Sequence, residues 1–321
     1  MLGAIIGDIV GSRWEFNPTN DYHFEWLSPE NDFTDDTICT IAVADALMKG
    51  RDFGESLHDW CNRYPNPKGS YGGRFSQWVH SQNPQPYGSF GNGSAMRVSA
   101  VGHWFKTKEE VLKAAEETAL PTHNHPEGIK GAQTVALAIY LAMKYNRQHY
   151  QHAAEHIDDI LKACVAFSGY DIDMPKRTVL NKFDETCQGT VPVALKIISM
   201  STCFEDAVRL AVSLGGDADT LGAIVGSMAE PIWGIPFDPL RHQIEHYLPE
   251  EMRRVLWDFY SLRPYSFKPL IDTTYAQKDY SEGAWDMLDD DEREELMAEL
   301  DKEKDQKRMM MLERGKARLQ W

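Results

Sequence analysis

The spacing of apolar residues is typical of α-helices over most of this chain. In two stretches the apolar residues recur three or four positions apart, and the second stretch ends at Gly50, which is suited to a helix C-cap. These residues are Leu2, Ile5, Ile6, Ile9 and Val10, and then Ile38, Ile41, Ala42 and Leu47. Capping-box patterns beginning at Thr107 and Thr202 each precede a further apolar repeat. Because the sequence contains no series of strands with alternating polarity, it predicts an all-α fold.

Two segments depart from this pattern. Residues 59–97 are rich in Gly, Pro, Asn, Ser and aromatic residues, which in a helical protein indicates either a ligand surface or a long ordered connection. Residues 271–321 mix charges of both signs. We therefore expect a compact catalytic domain over residues 1–270 and an exposed, helical, charged extension over residues 271–321.

The balance of charge limits the classes of partner. Lys and Arg total 33 and Asp and Glu total 49, which gives a formal net charge of -16. This charge argues against non-specific binding to nucleic acid or to an anionic membrane. The five cysteines include no CxxC pair, so neither a disulfide framework nor a zinc site is expected. The first residues lack a basic leader and no apolar run reaches transmembrane length, so we expect a cytoplasmic protein.

Three short stretches concentrate acidic residues near glycines, threonines or predicted helix starts. They are Gly7–Phe16, Phe33–Thr37 and Gly215–Gly226. Asp and Thr at a helix start are ordinary N-caps, and capping alone can account for Thr34, Asp35 and Asp36. Capping does not explain the glycine pair before Asp217, nor the second carboxylate at Asp219. A ligand role is the alternative that accounts for both.

Carboxylate and hydroxyl oxygens are the hard ligands that suit Mg²⁺ or Mn²⁺. If the two acidic helix starts meet, they gather four carboxylates, and Glu15 can add a fifth. The four are Asp35, Asp36, Asp217 and Asp219, with Thr34 and Thr220 as neutral oxygen ligands. Five ionised groups in one cleft would raise one another's pKa values, and two divalent cations would offset about four of the five charges.

Glycines at every fourth position predict a close helix contact. They are Gly3, Gly7 and Gly11 in the first helix, and Gly222 and Gly226 after the third acidic stretch. Small residues at this spacing let two helix backbones approach each other. We therefore expect these two helices to pack closely, which would bring Asp8 and Glu15 near the acidic cluster.

At these residues the sequence resembles the ADP-ribosylglycohydrolase family, which includes dinitrogenase reductase-activating glycohydrolases, vertebrate ADP-ribosyl-acceptor hydrolases and J1 crystallins. The matches occur in the family's order. They are Gly7–Phe16, Thr34–Thr37, Gly91–Arg97 and Gly215–Ile224, with a weaker match at Thr122–Ala132. The resemblance implies a compact orthogonal multi-helix fold with a binuclear metal cleft that holds two Mg²⁺ or Mn²⁺ ions.

The resemblance also implies roles for individual residues. The metal ligands would be Thr34, Asp35, Asp36, Asp217, Asp219 and Thr220, and the catalytic candidates are Glu15, Asp36 and Asp219. The diphosphate and distal ribose would lie on a loop formed by Gly88, Ser89, Phe90, Gly91, Asn92 and Gly93, with Gly72 and Gly73 in the same groove. His123 would face the ligand, and Phe90 is the candidate for stacking on adenine.

The function implied is hydrolysis of the glycosidic bond between ADP-ribose and a modified acceptor, with an ADP-ribosylated protein or small molecule as substrate. The sequence leaves open whether the acceptor is arginine, serine, a nucleic-acid end or a small molecule. A non-catalytic, ADP-ribose-binding or crystallin-like structural protein is one alternative on the same fold. Another two-metal hydrolase, such as a phosphoesterase, is a second alternative.

Overall fold

The computed structural model describes residues 1–148, 153–235 and 244–263, and these are helical over most of their length. The helices are α1 Leu2–Gly11, α2 Asp35–Lys49, α3 Phe53–Arg63, α4 Gly73–Val79, α5 Gly93–Met96, α6 Ser99–Trp104, α7 Lys108–Ala119, α8 Pro126–Gln148, α9 Ile157–Ser168, α10 Cys187–Met200, α11 Phe204–Ser213, α12 Ala218–Trp233 and α13 Glu250–Leu262. Within these ranges the only β contacts are two isolated bridges. The all-α prediction is confirmed.

The domain boundary placed at residue 270 and the extension over residues 271–321 lie outside the described residues. The region 59–97, which the sequence left as a ligand surface or a connection, includes the end of α3 and the short helices α4 and α5. Connections without regular structure separate these helices, so the region is a chain of short elements.

Helix α1 is buried along its whole length and packs against α12. A Cβ atom at Gly7 would overlap the carbonyl group of Gly222, and one at Gly3 would overlap that of Gly226. The glycines therefore let the two backbones touch, as their spacing predicts. We call this contact between the glycines of α1 and α12 the glycine seam. It places Asp8 of α1 beside the start of α12.

The helix caps explain where the elements around the site begin. Thr34 caps α2, since its hydroxyl accepts a hydrogen bond from the backbone N–H of Asp36, and Gly50 ends that helix in the left-handed conformation. The capping box at Thr107 is present. The predicted capping box, with Thr202 as N-cap and Glu205 three residues later, is wrong by one residue. Cys203 is the N-cap of α11, so Asp206 is the residue three positions after the cap. Asp206 then accepts hydrogen bonds from the backbone and hydroxyl of Thr202.

The glycine pair before α12 has a conformational cause. Gly215 and Gly216 have φ values of 74° and 79°, in the left-handed region that favours glycine. A Cβ atom at Gly216 would overlap the carbonyl of Lys182, and the N–H of Asn181 donates to the carbonyl of Leu214 at 2.9 Å. The segment between α9 and α10 thus passes directly over the start of α12.

Candidate metal and substrate site

Asp8 joins helix α1 to the start of helix α2. Its buried carboxylate accepts hydrogen bonds from the hydroxyl of Thr34 at 2.7 Å and from the backbone N–H groups of Thr34 and Thr37 at 3.0 and 3.1 Å. The hydroxyl of Thr37 also donates to it. Burial raises the pKa of Asp8 to about 6, against the lowering effect of these hydrogen bonds. Asp8 therefore orients the α2 start as well as adding charge to it.

The two acidic helix starts meet in the structure. The hydroxyl of Thr220, on the first turn of α12, donates to a carboxylate oxygen of Asp36, on the first turn of α2, at 3.1 Å. The contact is buried, since Asp36 is 2% and Thr220 is 6% exposed. The two carboxylate-bearing helix ends thus form one site.

The carboxylates divide into two close groups. The inner group consists of Asp8, Asp36 and Asp219, and the outer group of Glu15, Asp217 and Asp219. In each group one oxygen from every member lies within 4.8 Å of the others, a spacing at which the group could hold a metal ion. Asp219 belongs to both groups, so two ions held in this way would share it as a ligand.

Two buried oxygens in these groups lack a hydrogen-bond partner within the described part of the chain. They are Oδ1 of Asp36 and Oδ1 of Asp219. Buried carboxylate oxygens are normally hydrogen-bonded or bound to a cation, because an unpaired buried charge is costly. The donor set is made of hard oxygens, so the residues present fit Mg²⁺ or Mn²⁺.

The pKa values of the clustered carboxylates also indicate that the site requires a cation. Burial is the largest cause of the raised pKa in every case, and neighbouring carboxylates add to it. The pKa values of Asp36 and Asp219 lie well above their usual range, and that of Glu15 rises to about 7. Without a compensating cation, these groups cannot all be ionised near neutral pH.

Asp35 and Asp217 differ in their place in the cluster. Asp35 is the half-buried first residue of α2 and lies outside both close groups. Burial and then the charge of Asp8 raise its pKa to about 8. Asp217 belongs to the outer group, and its Oδ2 accepts a hydrogen bond from the side-chain amide of Asn92 at 2.7 Å.

Glu15 lies just beyond α1 and is half-buried. Its carboxylate covers Gly69, which has φ of 77°, and a Cβ atom there would come within 2.6 Å of Oε2 of Glu15. Gly69 therefore leaves the room that the Glu15 carboxylate occupies. No local pattern in the sequence relates Gly69 to a residue in another segment, so its role was not predictable.

The loop of residues 88–93 lies next to the acidic cluster through Asn92, which also donates to the hydroxyl of Thr190 at 3.1 Å. A groove of about 430 Å³ runs between this loop and the segment of residues 182–186. Its lining residues are Arg74, Ser89, Phe90, Gly91, Lys182, Phe183, Asp184, Glu185 and Thr186. The side chain of Phe90 is 43% exposed, with its ring 5.3 Å from that of His125.

The backbone N–H groups of this loop are mostly engaged within the protein. Those of Gly88, Ser89, Gly91 and Asn92 donate, respectively, to the side chain of Asn124, the carbonyl of Thr122, the hydroxyl of Ser89 and the carbonyl of Glu185. In the described contacts this leaves the N–H groups of Phe90 and Gly93 for a bound anion. The loop of residues 88–93 thus offers fewer free backbone N–H donors than its number of residues indicates.

The structure separates the remaining candidate residues. His123 is buried, with Nε2 directed at Gly91 and Gly93. Gly72 and Gly73 are exposed at the start of α4 and are not among the residues that line the groove, so their substrate role stays a prediction. Two further acidic residues act at the cluster. Asp8, which the glycine spacing predicted near the cluster without a role of its own, is the one acidic residue of α1, whereas Glu185, which adds to the raised pKa of Glu15, carries no sequence signal.

A sequence model of the family described as ADP-ribosylglycohydrolase matches residues 1–256. The chain therefore belongs to the ADP-ribosylglycohydrolase family. Membership makes it a hydrolase that acts on ADP-ribosyl linkages. None of the helices in the described ranges has the length and apolar character needed to cross a membrane.

Individual relatives share this assignment. ADP-ribosylhydrolase ARH3 from Homo sapiens is 25% identical over 306 residues, covering 73% of this chain and 84% of that protein. ADP-ribosylarginine hydrolase Tri1 from Pseudomonas putida (strain GB-1) is 22% identical, covering 80% of this chain and 73% of that protein. A solved structure described as an ADP-ribosylglycohydrolase-related protein complex is similar with a TM-score of 0.60 at 23% identity, covering 82% of this chain and 95% of that one, which shows the same fold.

Proposed function

We propose that this protein releases ADP-ribose from a modified protein side chain by metal-dependent hydrolysis, with two Mg²⁺ or Mn²⁺ ions. The observation that carries the proposal is the pair of carboxylate groups that share Asp219 and contain unpartnered buried oxygens. A crystallin-like structural protein has no need for this arrangement, since the ionised cluster destabilises the fold when no cation is present.

We propose six metal ligands, all of them at the two acidic helix starts. They are Thr34, Asp35, Asp36, Asp217, Asp219 and Thr220. When bound, the ions supply Lewis acids for the ribose hydroxyls and a water molecule of lowered pKa. Asp8 holds the α2 start in place through its hydrogen bonds to Thr34 and Thr37.

Glu15 is the group that we propose for proton transfer. It is the half-buried member of the outer group and lies beside Asp217 and Asp219, so its carboxylate can reach a water molecule held at that group. Hydrolysis breaks the bond between the anomeric carbon and the acceptor atom, which leaves with the bonding electrons and gains a proton. The water oxygen bonds to the same carbon, and Glu15 takes one proton of that water and returns it to solvent or to the departing acceptor. The negative cluster around it favours the oxocarbenium-like charge of the transition state.

The groove beside the loop of residues 88–93 is the proposed site for the rest of ADP-ribose. The amide of Asn92 connects the loop to Asp217, so the distal ribose would lie at the acidic cluster and the diphosphate along the loop. The N–H groups of Phe90 and Gly93 can donate to phosphate oxygens. The exposed ring of Phe90 offers a surface for adenine.

The test is an assay of metal-stripped protein on peptides ADP-ribosylated at arginine or at serine. The protein is assayed before and after addition of Mg²⁺ or Mn²⁺, and the products are separated by chromatography. We expect free ADP-ribose only after metal addition. Release of AMP would indicate a phosphoesterase, and release of ADP-ribose by the stripped protein in chelator would contradict the metal dependence.

A further inference from the structure

Arg97 is a buried cation that no carboxylate of the described residues pairs with. It is 1% exposed, and its Nη2 donates to the carbonyl of Thr118 and to the hydroxyl oxygen of Thr122, each at 2.8 Å. Burial of an unpaired guanidinium is costly, so the groups it orients are of interest. Of the two groups that accept from Arg97, the hydroxyl of Thr122 also contacts another side chain.

The hydroxyl of Thr122 connects Arg97 to His123. It is fully buried, and its oxygen lies 2.7 Å from Nδ1 of His123. An arginine can only donate, so the oxygen of Thr122 accepts from Arg97 and retains one proton of its own to donate. Among the described residues, Nδ1 of His123 is the one remaining partner of this hydroxyl.

This arrangement determines the position of the proton on the imidazole ring. If Nδ1 carried the proton, both neighbours would donate to the Thr122 oxygen, and its own proton would be buried without an acceptor. The satisfied arrangement has Nδ1 as acceptor and the ring proton on Nε2. Burial and then the nearby charge of Arg97 hold the pKa of His123 well below its usual range, so the ring is neutral.

The other ring nitrogen faces the loop of residues 88–93. A Cβ atom would lie 3.1 Å from Nε2 of His123 at Gly93 and 3.5 Å at Gly91. In the described part of the chain Nε2 makes no hydrogen bond of its own. Its proton therefore lies beside Gly93, whose own N–H group has no hydrogen-bond partner in the described contacts.

We propose that Arg97 and Thr122 are positioning residues that fix His123 as the neutral Nε2–H tautomer, which donates a hydrogen bond to an anionic oxygen bound at Gly91–Gly93. The placement of that oxygen on the ADP-ribose diphosphate rests on the proposed function. The tautomer itself depends only on the contacts of the three side chains.

The test is ¹⁵N NMR of the histidine rings of the whole protein, with His123 assigned by its absence from the spectrum of His123→Gln. We expect a neutral Nε2–H ring in the wild-type protein. Thr122→Val keeps the shape of the side chain and removes the hydroxyl, and we expect an Nδ1–H population in this variant. Thr122→Ser retains the hydroxyl and should restore the wild-type tautomer. A wild-type ring protonated at Nδ1 would overturn the proposal even if Thr122→Val does not fold.

Binding of ADP-ribose, measured by calorimetry, separates this proposal from the proposed function. Loss of one hydrogen bond should weaken binding by about five- to tenfold in Thr122→Val and leave Thr122→Ser close to wild type. A Thr122→Val protein with the wild-type tautomer and affinity contradicts the positioning role. A wild-type protein with the Nε2–H ring and no affinity for ADP-ribose would contradict the proposed function and leave the tautomer assignment supported.

Discussion

The inner and outer carboxylate groups have the same chemistry and different surroundings. The inner group is buried, and Asp8 within it is held by the hydroxyl and backbone groups of the α2 start. The outer group contains the half-buried Glu15 and is joined to the substrate groove through Asp217 and Asn92. Under the proposed function, we infer that the inner group maintains the geometry of the site and that the outer group handles substrate and water.

The largest effect should come from Asp219, the residue that both groups share. Asp219→Asn removes a negative charge where a hard cation needs one, so we expect turnover to fall by about a hundredfold or more. The fold should persist, and the metal-free protein should be at least as stable as wild type because carboxylate repulsion is relieved.

Turnover with metal and melting temperature without metal test this expectation on one sample of protein. The control is Asp52→Asn, since Asp52 caps α3 away from the site and Asn caps nearly as well as Asp. Turnover of Asp219→Asn equal to that of the control would contradict the shared-ligand interpretation.

A smaller effect on turnover is expected for Glu15, and it should separate the two groups. Glu15→Gln removes the proposed base at the exposed edge, so we expect kcat to fall by roughly a hundredfold at most, with metal affinity less affected than in Asp219→Asn. Metal affinity, measured by titration, and kcat are compared with those of Glu117→Gln, an exposed change on α7. If Glu15→Gln had the kcat of this control, the base would have to be another residue.

The pH dependence of the metal-free protein should reveal the cluster as a whole. Folding raises the pKa values of Asp8, Glu15 and Asp35 from ordinary values of 3.8, 4.5 and 3.8 to about 6, 7 and 8. The folded protein therefore binds more protons than the unfolded chain between about pH 4 and about pH 8, and the cluster's contribution to stability falls as the pH rises through this window.

Added Mg²⁺ or Mn²⁺ should offset that loss. We expect saturating metal to raise Tm by roughly 5 °C or more near the upper end of the window, and by less near the lower end, where protons compete for the carboxylates. Circular dichroism melts with and without metal measure the increment. An increment that does not change with pH would indicate that metal binds elsewhere.

The smallest effect concerns the groove, outside both groups. Phe90→Ala removes an exposed ring, so we expect ADP-ribose affinity to fall about fivefold, with turnover at saturating substrate nearly unchanged. The control is Leu120→Ala, an exposed apolar residue that does not line this groove. Equal affinities in the two variants would contradict the proposed contact between adenine and Phe90.

Local signals predicted much of this fold. Periodicity gave the helices, and the glycine repeats gave the contact between α1 and α12, because both are properties of neighbouring residues on one helix face. The cap of α11 was misplaced by one residue because Thr202 and Cys203 can both accept from the next turn. Most of the hydrogen bonds that engage the N–H groups of residues 88–93 were not predictable, since three of the four acceptors, Asn124, Thr122 and Glu185, lie far away in the sequence.

The candidate site was predictable to the extent that acidic residues sit at helix starts. The contact of the two starts, and the division into an inner and an outer group, required the structure. The glycine spacing predicted that Asp8 lies near the cluster, but its hydrogen bonds to the α2 start required the structure. The space at Gly69 is explained only by the carboxylate of Glu15 above it.

The glycine seam has a consequence for ion size. The width of the acidic cleft is fixed where the backbones at Gly7 and Gly222 touch, one residue from Asp8 and three from Asp219. Backbone atoms in contact cannot change rotamer, so the spacing of the carboxylates is stiff compared with one held by side chains. Mg²⁺ binds oxygen at about 2.0–2.1 Å and Ca²⁺ at about 2.3–2.6 Å in looser shells. If the cluster holds ions as proposed, a cleft of fixed width would discriminate between such ionic radii, and the missing side chains of the seam would help to select the ion.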